Sequence, residues 1–562
     1  MKLTLLDNHV RAEGDAKSLK QLAEYLSYNN DIRAFEKRHV GIEFDWSNEE
    51  HLREVGEKTY YEFFQNFICH KISGKMLNWY QPNPNDPTEM GKPFQPWAMS
   101  EGYTSVVSIF QGNKAKFRSG LLGHAINFFQ DEGIEVEVID ARSDYPKLTA
   151  EPVYSVGKFT AREDQRKIID SFRQSLLDTE NYGHFFTSIL LKLAVNTGKT
   201  IIAGLLVANL QNPRILMPHR ERYLCARAIA DYMEMGFEVG VIAADKKEVK
   251  TILKERNIDT EPVWGIAPFT VVMVQTVQAR LKKGDITVKD LEYFNLLLAD
   301  ECEQLVGDQT TALIDKCRMP MKLGYSGTPL DSDDGYNRLT VLGLFGSQIY
   351  EVTTRDNIEN SVSQKPIVNF SLNEMVGVKG LSISKAKYHI YTDPERLDIF
   401  MDRMLYHLGE GRTQWIVYYG DAELVFGVWL ENELRKRLGL LAVIAHVNGK
   451  IKNRAEIFAQ YLAGEVNVLI ANSVIKRGVN LPNIRVFFQW ESNDNDISVQ
   501  QAAIGRGTRR DGENEEFYIE DIYDKGNPEL EAASRYRMNI YSHDSHGAEI
   551  NYLYPNKDGI PT

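Results

Sequence analysis

The sequence predicts an α/β protein in which two parallel-sheet domains follow an N-terminal α+β domain. Its 562 residues are too many for one hydrophobic core. Polar, proline-containing breaks near residues 144–152 and 353–366 predict domains at 1–145, 150–355 and 360–562. From residue 185 on, short apolar runs alternate with amphipathic helical stretches, a pattern typical of parallel sheets covered on both faces. Those runs are ILLKLAV, PRILMP, FTVVMVQ, YFNLLLAD, QWIVYYG, VNVLIAN and IRVFFQW.

Composition and charge limit the classes of protein to which the chain can belong. The formal net charge is -13, which argues against a protein that coats nucleic acid by charge alone. No apolar run reaches the roughly 18 residues of a membrane span, and the polar N-terminal stretch lacks the apolar block of a secretion signal. The four cysteines include no C-x-x-C pair. We therefore expect a cytoplasmic protein with reduced thiols, no membrane contact and no zinc site.

The N-terminal domain is expected to contain both helix and strand. The stretch at 81–97 contains five prolines and is predicted to be a loop. A helix is predicted soon after residue 120, and a half-buried strand follows it because Ile134, Val136 and Val138 alternate with polar residues. The apolar stripe of that helix consists of Leu121, Leu122, Ala125, Ile126, Phe128 and Phe129.

The segment NTGKT at 196–200 predicts an anion-binding loop at the start of a helix. It follows an apolar run and precedes the helix-like IIAGLLVANL. Backbone N–H groups at a helix N-terminus converge on one point, where the helix dipole also favours an anion. Lys199 could reach the terminal phosphates of a nucleotide there, and the Thr200 hydroxyl could bind Mg²⁺. The general phosphate-loop pattern G-x-x-x-x-G-K-[ST] has a glycine where Leu193 stands, so a chance match is the alternative for this segment alone.

Asp300 and Glu301 strengthen the phosphate-loop interpretation. They end the apolar run YFNLLLAD. Open α/β sheets bind ligands at the carboxyl ends of their strands, so this pair is expected beside the loop. Asp300 would hold Mg²⁺, and Glu301 would orient and deprotonate the attacking water. A solvated acidic pair at a strand end is the alternative, which the order relative to Lys199 disfavours.

A third segment, GRGTRR at 505–510, could complete the site. Phosphoryl transfer builds negative charge on the γ-phosphate, which a guanidinium from a second lobe can stabilise. Taken alone, three arginines in five residues equally indicate a solvated basic face.

Together these segments resemble the ordered motif series of superfamily 2 helicases over residues 159–524. The resemblance implies two RecA-like lobes, with ATP between them and nucleic acid across both. The similar segments, in chain order, are FTAREDQ (159–165), NTGKT (196–200), PHRE (218–221), VQTVQ (274–278), DECE (300–303), YSGTP (325–329), VNG (447–449), ANS through RGVNLP (471–482) and GRGTRR (505–510).

The resemblance also implies roles for individual residues. Bound ATP would contact Arg162, Gln165, Asn196, Thr197, Gly198, Lys199, Thr200 and Gly478, with Mg²⁺ on Thr200 and Asp300. Catalysis would use Glu301, Asp300, Lys199, Arg506 and Arg509. Nucleic acid would contact His219, Arg220, Gln275, Thr276, Asn448, Gly449, Asn472 and Ser473. Ser326 and Thr328 would couple the nucleotide state to the grip on the strand.

The chain departs from the family pattern in three motifs. In the DEAH-like box, Cys302 and Glu303 are tolerated variants. Leu193 and Asn196 stand where A-x-x-G-x-G-K-T has its alanine and first glycine, and Ala502 replaces a glutamine ahead of the arginines. Asparagine tolerates left-handed backbone angles better than most residues, so the loop is expected to keep its shape at some strain. These replacements leave the rate of turnover open.

The end of the N-terminal domain narrows the family further. Its segment FRSGLL at 117–122, followed by GIEVEVIDAR at 133–142, resembles the N-terminal DNA-binding domain of UvsW-type phage recombination helicases. The resemblance implies an ATP-dependent helicase or translocase on single-stranded, forked or branched DNA, acting in recombination and replication beside other proteins of those processes. A phage origin would place it in the cytoplasm of a bacterial host.

Three alternatives stay open at this point. The first is a helicase directed to RNA or an RNA–DNA hybrid. The second is the motor subunit of a restriction complex, which would require a partner chain. The third, suggested by the irregular phosphate loop, is a nucleotide-gated DNA-binding protein with little hydrolysis.

Overall fold

The structure is a computed structural model. It describes residues 1–28, 80–83, 86–93, 104–178, 185–243, 246–331, 335–374, 378, 383–420, 424–451, 453–475, 481, 484–492 and 516–554, with the backbone alone at 28, 80–83, 86–93, 104, 308, 383–385, 387, 455 and 473. The statements below concern those residues.

The N-terminal domain is a mixed sheet with helices on one face. The described elements are β1 (Lys2–Leu5), β2 (His9–Glu13), α1 (Ala16–Tyr25), β3 (Ser27–Tyr28), β4 (Tyr80–Asn83), β5 (Asp86–Pro93), β6 (Thr104–Ser105), β7 (Ser108–Phe110), β8 (Lys114–Arg118), α2 (Leu122–Asp131) and β9 (Glu137–Asp140). The main sheet has the order β7-β8-β2-β1-β9, and only β1 and β9 are parallel. The helix and strand predicted between residues 120 and 140 are both present.

The predicted loop at 81–97 is wrong for most of its length. The backbone of β4 and β5 forms an antiparallel hairpin, whereas 84–85 and 94–97 lie outside the described residues. The register of the hairpin shifts on both sides of Pro82. A proline lacks the N–H that a ladder needs, but it is tolerated at edges and bulges, and both strands of a two-stranded ribbon are edges.

The first parallel sheet, which we call lobe 1 together with its helices, follows a short ribbon. The elements are β10 (Ser155–Val156), β11 (Phe159–Thr160), α3 (Glu163–Leu177), β12 (Ser188–Leu193), α4 (Lys199–Ala208), β13 (Ile215–His219), α5 (Arg222–Glu234), β14 (Val239–Ile242), α6 (Lys246–Glu255), β15 (Phe269–Met273), α7 (Val274–Lys283), α8 (Val288–Leu291), β16 (Leu296–Asp300), α9 (Asp308–Lys316), β17 (Met321–Ser326), α10 (Gly335–Phe345) and β18 (Gln348–Val352). Side chains of β12 alternate between two apolar cores, since Leu191 packs in one and Leu190 in the other. Helices therefore cover both faces, as the sequence predicts.

A second parallel sheet, lobe 2, follows a short connecting helix. The elements are α11 (Thr354–Glu359), β19 (Lys365–Glu374), α12 (Ile383–Tyr391), α13 (Pro394–Gly409), β20 (Trp415–Tyr418), α14 (Leu424–Leu438), β21 (Ile444–Val447), α15 (Arg454–Leu462), β22 (Val468–Ala471), β23 (Val486–Gln489), β24 (Glu516–Lys525), α16 (Pro528–Ser542) and β25 (Glu549–Tyr552). Of the helices in the described ranges, none has the length and apolarity needed to cross a bilayer.

The two parallel sheets have the same topology. Their orders are β14-β15-β13-β16-β17-β12-β18 and β21-β22-β20-β23-β24-β19-β25. When the strands of each sheet are counted from its own first strand, both orders read 3-4-2-5-6-1-7. All pairings recorded within the two sheets are parallel. The predicted fold class, two tandem parallel-sheet domains behind a mixed accessory domain, is confirmed.

The N-terminal sheet is docked on lobe 1 through polar contacts. Asn8 Nδ2 donates a hydrogen bond of 2.6 Å to the Cys317 carbonyl. The Arg118 guanidinium makes two hydrogen bonds with the Asp315 carboxylate, at 2.8 and 3.2 Å. Paired hydrogen bonds between charged groups hold an arginine in a defined orientation. The accessory domain is thus held against lobe 1 at a defined angle.

Lys322 is buried at the centre of this contact. Its Nζ donates to the Asp7 carbonyl at 2.6 Å and to the Ser119 hydroxyl at 3.1 Å. Burial lowers the pKa of Lys322 to about 7, with Arg142 and Arg118 adding to the decrease and Asp7 opposing it. Folding therefore releases a proton from this lysine between pH 7 and its ordinary pKa.

We predict that Lys322 makes the protein more stable at pH 9 than at pH 7. A lysine with a lowered folded pKa destabilises the folded state increasingly as the pH falls towards that pKa. Between pH 7 and 9, the wild type should gain roughly 2 kcal/mol of unfolding free energy relative to Lys322→Met. Urea unfolding at both pH values measures this difference. The exposed Lys316→Met is the matched control, and an equal gap between wild type and Lys322→Met at both pH values would show that Lys322 stays charged.

Candidate active site

The loop between β12 and α4 has the backbone of an anion-binding site. Asn196 and Gly198 both have left-handed angles, with φ of 73° and 83°. The left-handed φ of Gly198 would strain a residue with a side chain, and a Cβ there would also lie 2.7 Å from Gln165 Nε2. The first backbone N–H groups of α4 have no acceptor within the helix and are available to an anion. The loop keeps this shape although Asn196 replaces the usual glycine, as the sequence predicts.

Lys199 and Glu301 meet above the carboxyl edge of the lobe 1 sheet. Lys199 Nζ lies 3.3 Å from Glu301 Oε1. The Ser326 hydroxyl donates to Glu301 Oε2 at 3.0 Å and accepts a hydrogen bond from the Thr328 N–H at 3.2 Å. Strand β17, which ends at Ser326, lies between β16 and β12 in the sheet. The strand order therefore brings the predicted lysine, acidic and coupling residues into contact.

Glu301 also carries backbone strain. Its φ is 45°, in the left-handed region that residues other than glycine, asparagine and aspartate rarely adopt. Its own N–H donates to Asp300 Oδ1 at 2.9 Å. Strain of this kind persists where the surroundings hold it, and it is concentrated at functional sites.

The site contains more acidic than basic side chains. Burial and the Glu301 charge together raise the pKa of Asp300 to about 7. Burial and Glu301 likewise raise the pKa of Glu303 to about 8. Burial acts to lower the pKa of Lys199, but the three carboxyl groups outweigh it and the pKa is raised. Carboxylate and hydroxyl oxygens are ligands that Mg²⁺ prefers, but among the described residues no three acidic, histidine or cysteine side chains are grouped so that they could hold a metal ion. Mg²⁺ on Asp300 and Thr200 therefore stays a prediction.

The Gln165 side chain is hydrogen-bonded to the phosphate loop. It is 1% exposed, its Nε2 donates to the Thr197 carbonyl at 2.8 Å, and its Oε1 accepts from the Arg162 N–H at 3.1 Å. The Arg162 guanidinium also donates to the Thr197 carbonyl, at 3.2 Å. In this structure both residues anchor the loop. The contact of Gln165 with the base, which the resemblance implies, stays a prediction.

Arg220 and Gln275 lie together at the carboxyl ends of two neighbouring strands. Gln275 Nε2 donates to the Arg220 carbonyl at 3.3 Å, and both side chains are exposed. Thr276 follows within the first turn of α7 rather than at a strand end, because β15 stops at Met273. The His219 imidazole is buried, and burial lowers its pKa to about 4. A neutral, inward-facing ring does not suit the predicted contact with nucleic acid, which leaves Arg220 as the charged group at this position.

The predicted residues of lobe 2 occupy the equivalent edge of the second sheet. Asn448 follows β21 and Asn472 follows β22, and these two strands are neighbours. Asn448 Oδ1 accepts from the Lys450 N–H at 2.9 Å, and Asn472 Oδ1 accepts from the Val474 N–H at 3.1 Å. Each asparagine thus closes a tight turn beyond its strand. Gly449 and Ser473 continue these turns, while Gly478, Ala502, Arg506 and Arg509 lie outside the described residues.

Two residues that the sequence did not single out contact the phosphate loop. Asn357 Nδ2 donates to the Val195 carbonyl at 2.9 Å, and Asn196 Nδ2 donates to the Ser363 hydroxyl at 3.0 Å. Both Asn357 and Ser363 lie in the connection between the two sheets, far along the chain from the loop. No motif marks them, and an isolated polar residue in a short helix is not distinctive.

Two family models match the chain. Residues 158–331 match the family described as "Type III restriction enzyme, res subunit", and residues 395–511 match the "Helicase conserved C-terminal domain". Together the matches cover about half of the chain, and each lies within one parallel-sheet lobe. No curated protein sequence matches.

Solved structures resemble the chain at low identity. A fragment described as an HsdR subunit of a type I restriction enzyme from Vibrio vulnificus is 16% identical, with 68% of this chain and 67% of that chain covered and a TM-score of 0.48. T4 UvsW is 15% identical, with 98% and 99% covered and a TM-score of 0.36. Dbp5 of S. cerevisiae, bound to RNA and ADP BeF3, is 15% identical, with 70% and 90% covered and a TM-score of 0.45. Values this low carry no information about the substrate.

Proposed function

Because the chain belongs to helicase superfamily 2 and carries the domains of a nucleic-acid-dependent ATPase, we propose that it is an ATP-driven DNA motor for forked or branched DNA. Its action would be unwinding, branch migration or annealing in recombination and replication. The observation that supports the ATPase assignment most directly is the contact of Lys199 with Glu301, and of Glu301 with Ser326, beside an anion-binding loop.

ATP binds with its phosphates at the N-terminus of α4. The backbone N–H groups of the loop and the Lys199 ammonium neutralise the triphosphate charge. Thr200 and Asp300 would hold Mg²⁺, which supplies further positive charge to the β- and γ-phosphates. Arg162 lies at the edge of the loop and is partly exposed, so it can contact the base.

Glu301 is the base that receives the proton of the attacking water. In this structure its two oxygens are engaged by Lys199 and Ser326. Binding of the triphosphate draws the Lys199 charge to the phosphates, which frees one Glu301 oxygen for the water. The hydrogen bond between Ser326 and Glu301 then links the state of the nucleotide to the positions of Ser326 and Thr328 at the carboxyl edge of the sheet.

The second half of the site comes from lobe 2. Arg506, Arg509 and Gly478, which lie outside the described residues, would complete the site and close the cleft. A guanidinium delivered in this way stabilises the charge that develops on the γ-phosphate. One cycle of closing and opening moves the two lobes relative to each other and advances the grip by one step.

Single-stranded DNA would lie across the carboxyl edges of both sheets. Arg220, Gln275 and Thr276 lie at that edge in lobe 1, and the turns that begin at Asn448 and Asn472 lie at it in lobe 2. The Asn448 side chain is buried, so its turn would contribute backbone groups. Phosphate contacts from side chains and backbone N–H groups position a strand without reading its sequence. This is what a translocating motor requires.

The accessory domain offers a basic sheet face for duplex or branched DNA. The side chains of β2 and β8 that face away from the apolar core include Arg11 and Lys116, both exposed and directly opposite each other. Like charges opposite each other on neighbouring strands destabilise a sheet. Among the described residues, no recorded ion pair involves Arg11 or Lys116, so a polyanion such as DNA would offset their repulsion. The basic face is unusual in a chain whose net charge is -13.

A restriction-complex motor is the second candidate. The family model that matches residues 158–331 takes its name from the res subunit of such an enzyme. This candidate requires a methyltransferase or nuclease partner, and co-purification with one would support it. A helicase directed to RNA or to RNA–DNA hybrids, and a nucleotide-gated binder with little hydrolysis, are outcomes that the following experiments distinguish.

We predict that Lys199→Ala abolishes fork unwinding while DNA binding is kept. Loss of the ammonium should reduce ATP hydrolysis at least about a hundredfold, because preorganised charge at the phosphates is lost. Affinity for a forked DNA without nucleotide should change little, since the predicted DNA track is separate. Strand displacement, phosphate release and filter binding measure the three effects in that order, with the exposed Lys167→Ala as control. Normal turnover by Lys199→Ala would refute the phosphate-loop assignment. If the wild type unwinds RNA duplexes but not forked DNA, the protein is an RNA helicase instead.

We predict that the basic sheet face contributes to binding of forked duplex. The Arg11→Ala/Lys116→Ala double variant should bind forks more weakly. The slope of log K for binding against log salt concentration should become shallower by about two. Its ATPase stimulation by single-stranded DNA should be unchanged. The control is Lys17→Ala/Lys20→Ala, which removes the same charge from the exposed side of α1, the helix packed on the other face of the sheet. Equal loss of fork affinity in both variants would mean that only net charge matters.

A further inference from the structure

The connection between the two lobes is a short, firmly capped helix. Strand β18 ends at Val352 and β19 begins at Lys365, with α11 between them. Thr353 Oγ1 accepts from the Asp356 N–H at 3.1 Å, and Asp356 accepts from the Thr353 N–H at 2.7 Å. Reciprocal capping of this kind fixes the first turn of a helix. The connection therefore has a defined structure rather than acting only as a tether.

Asn357 of α11 is bound to the phosphate loop. Its side chain is 0% exposed, and its Nδ2 donates to the Val195 carbonyl at 2.9 Å and to the Thr197 hydroxyl at 3.1 Å. The Thr197 hydroxyl in turn donates to the Ala194 carbonyl at 2.7 Å. One side-chain amide thus fixes a carbonyl and a hydroxyl on opposite sides of Asn196.

Ser363 holds the unusual residue of the loop. Its Oγ accepts a hydrogen bond of 3.0 Å from Asn196 Nδ2, and Ser363 itself is 5% exposed. Asn196 has a φ of 73°, where the family pattern has a glycine. A glycine reaches this conformation without cost, whereas an asparagine needs compensating contacts. The hydrogen bond to Ser363 is such a contact, and only a residue with a side chain can make it.

Lobe 2 contacts the other side of α11. Arg355 Nη2 lies 3.4 Å from Asp544 Oδ1, and a Cβ at Gly547 would lie 3.2 Å from Ile358 Cδ1. Residues 544 and 547 follow α16 of lobe 2. The helix α11 is therefore in contact with the phosphate loop on one side and with lobe 2 on the other.

We propose that Asn357 and Ser363 are positioning residues that hold the phosphate loop in its nucleotide-binding shape and link that shape to the position of lobe 2. The proposal rests on the assignment of the loop as the ATP site. In this chain, contacts from the connection between the lobes keep residue 196 in the left-handed conformation. In the family pattern a glycine adopts that conformation without such contacts. Movement of lobe 2 then changes the affinity of the loop for nucleotide.

The first test is Asn357→Ala. Loss of its two hydrogen bonds should raise the Kd for a fluorescent ATP analogue with Mg²⁺ about five- to tenfold, since a binding-competent loop becomes a smaller fraction of the population. The KM for ATP should rise in parallel, whereas kcat at saturating ATP should change less than twofold because bound nucleotide restores the loop. A variant that merely loses folded protein would instead lower kcat and leave KM unchanged.

The matched control is Asn360→Ala, which makes the same substitution at the exposed end of α11. It should keep the Kd, KM and thermal midpoint of the wild type. A Kd for Asn357→Ala equal to that of the wild type, or a Kd raised equally by Asn360→Ala, would overturn the proposal.

The second test is a double-mutant cycle between Ser363→Ala and Asn196→Gly. Ser363→Ala should raise the Kd for nucleotide about threefold in the wild-type background, as expected for one lost hydrogen bond, but leave it unchanged when residue 196 is glycine. Equal effects in the two backgrounds would show that the contact is incidental. This cycle keeps the proposal testable if Asn357→Ala does not fold.

The proposed function and this inference fail in different ways. If Lys199→Ala binds the ATP analogue as tightly as the wild type does, then the loop is not the nucleotide site and the proposed function fails. If Lys199→Ala loses nucleotide and Asn357→Ala does not, then only the role of the connection is refuted. Because the readout is binding, it also applies if the wild type hydrolyses ATP slowly.

Discussion

The ion pair between Lys199 and Glu301 is the interaction on which the rest of the site depends. It joins the start of α4 to the end of β16 across the intervening strand β17. Burial and the neighbouring Glu301 charge raise the pKa values of Asp300 and Glu303. Such a group of charges is costly to bury unless a ligand offsets it. A divalent cation bound together with the nucleotide would supply the positive charge that offsets these carboxyl groups.

Sheet topology explains why these groups meet. All strands of lobe 1 are parallel, so the residues that follow them emerge at one edge, and the order β16-β17-β12 places the acids, Ser326 and the loop side by side. The same strand order recurs in lobe 2, where Asn448 and Asn472 occupy the corresponding edge. A duplicated sheet gives two similar edges that can hold one extended ligand. The short helix α11 between them touches both the loop and lobe 2, which gives the two halves a physical route for coupling.

The sequence predicted what depends on local pattern and order. Buried strands appeared as apolar runs because parallel strands covered on both faces need continuous hydrophobicity. The loop, the acidic pair and Ser326 followed from motif order, and the structure brings them into contact. The sequence could not reveal which polar residues point inward. His219 lies in a strand whose five residues are all buried, and its side chain is only 7% exposed. Gln165 has both ends of its amide bound within the protein.

The sequence also could not predict contacts between residues that lie far apart along the chain. Asn357 and Asn196 come from segments with no shared pattern, and their relation depends on how β18 lies beside β12. The hairpin at β4 and β5 was missed because proline content was taken as evidence against strand, although a ribbon with two free edges tolerates proline. The predicted arginines Arg506 and Arg509 lie outside the described residues, so their approach to Lys199 stays a prediction.

The central claim is that nucleic acid and ATP hydrolysis are coupled through this site. The most direct measurement is the rate of phosphate release without nucleic acid and, side by side, with single-stranded DNA, duplex DNA, a fork, a four-way junction and RNA. A DNA motor should have a low basal rate that DNA raises at least about tenfold, within the usual range of energetic coupling between two sites, with forks or junctions as the strongest activators. A rate that is the same with and without every nucleic acid would rule out this coupling.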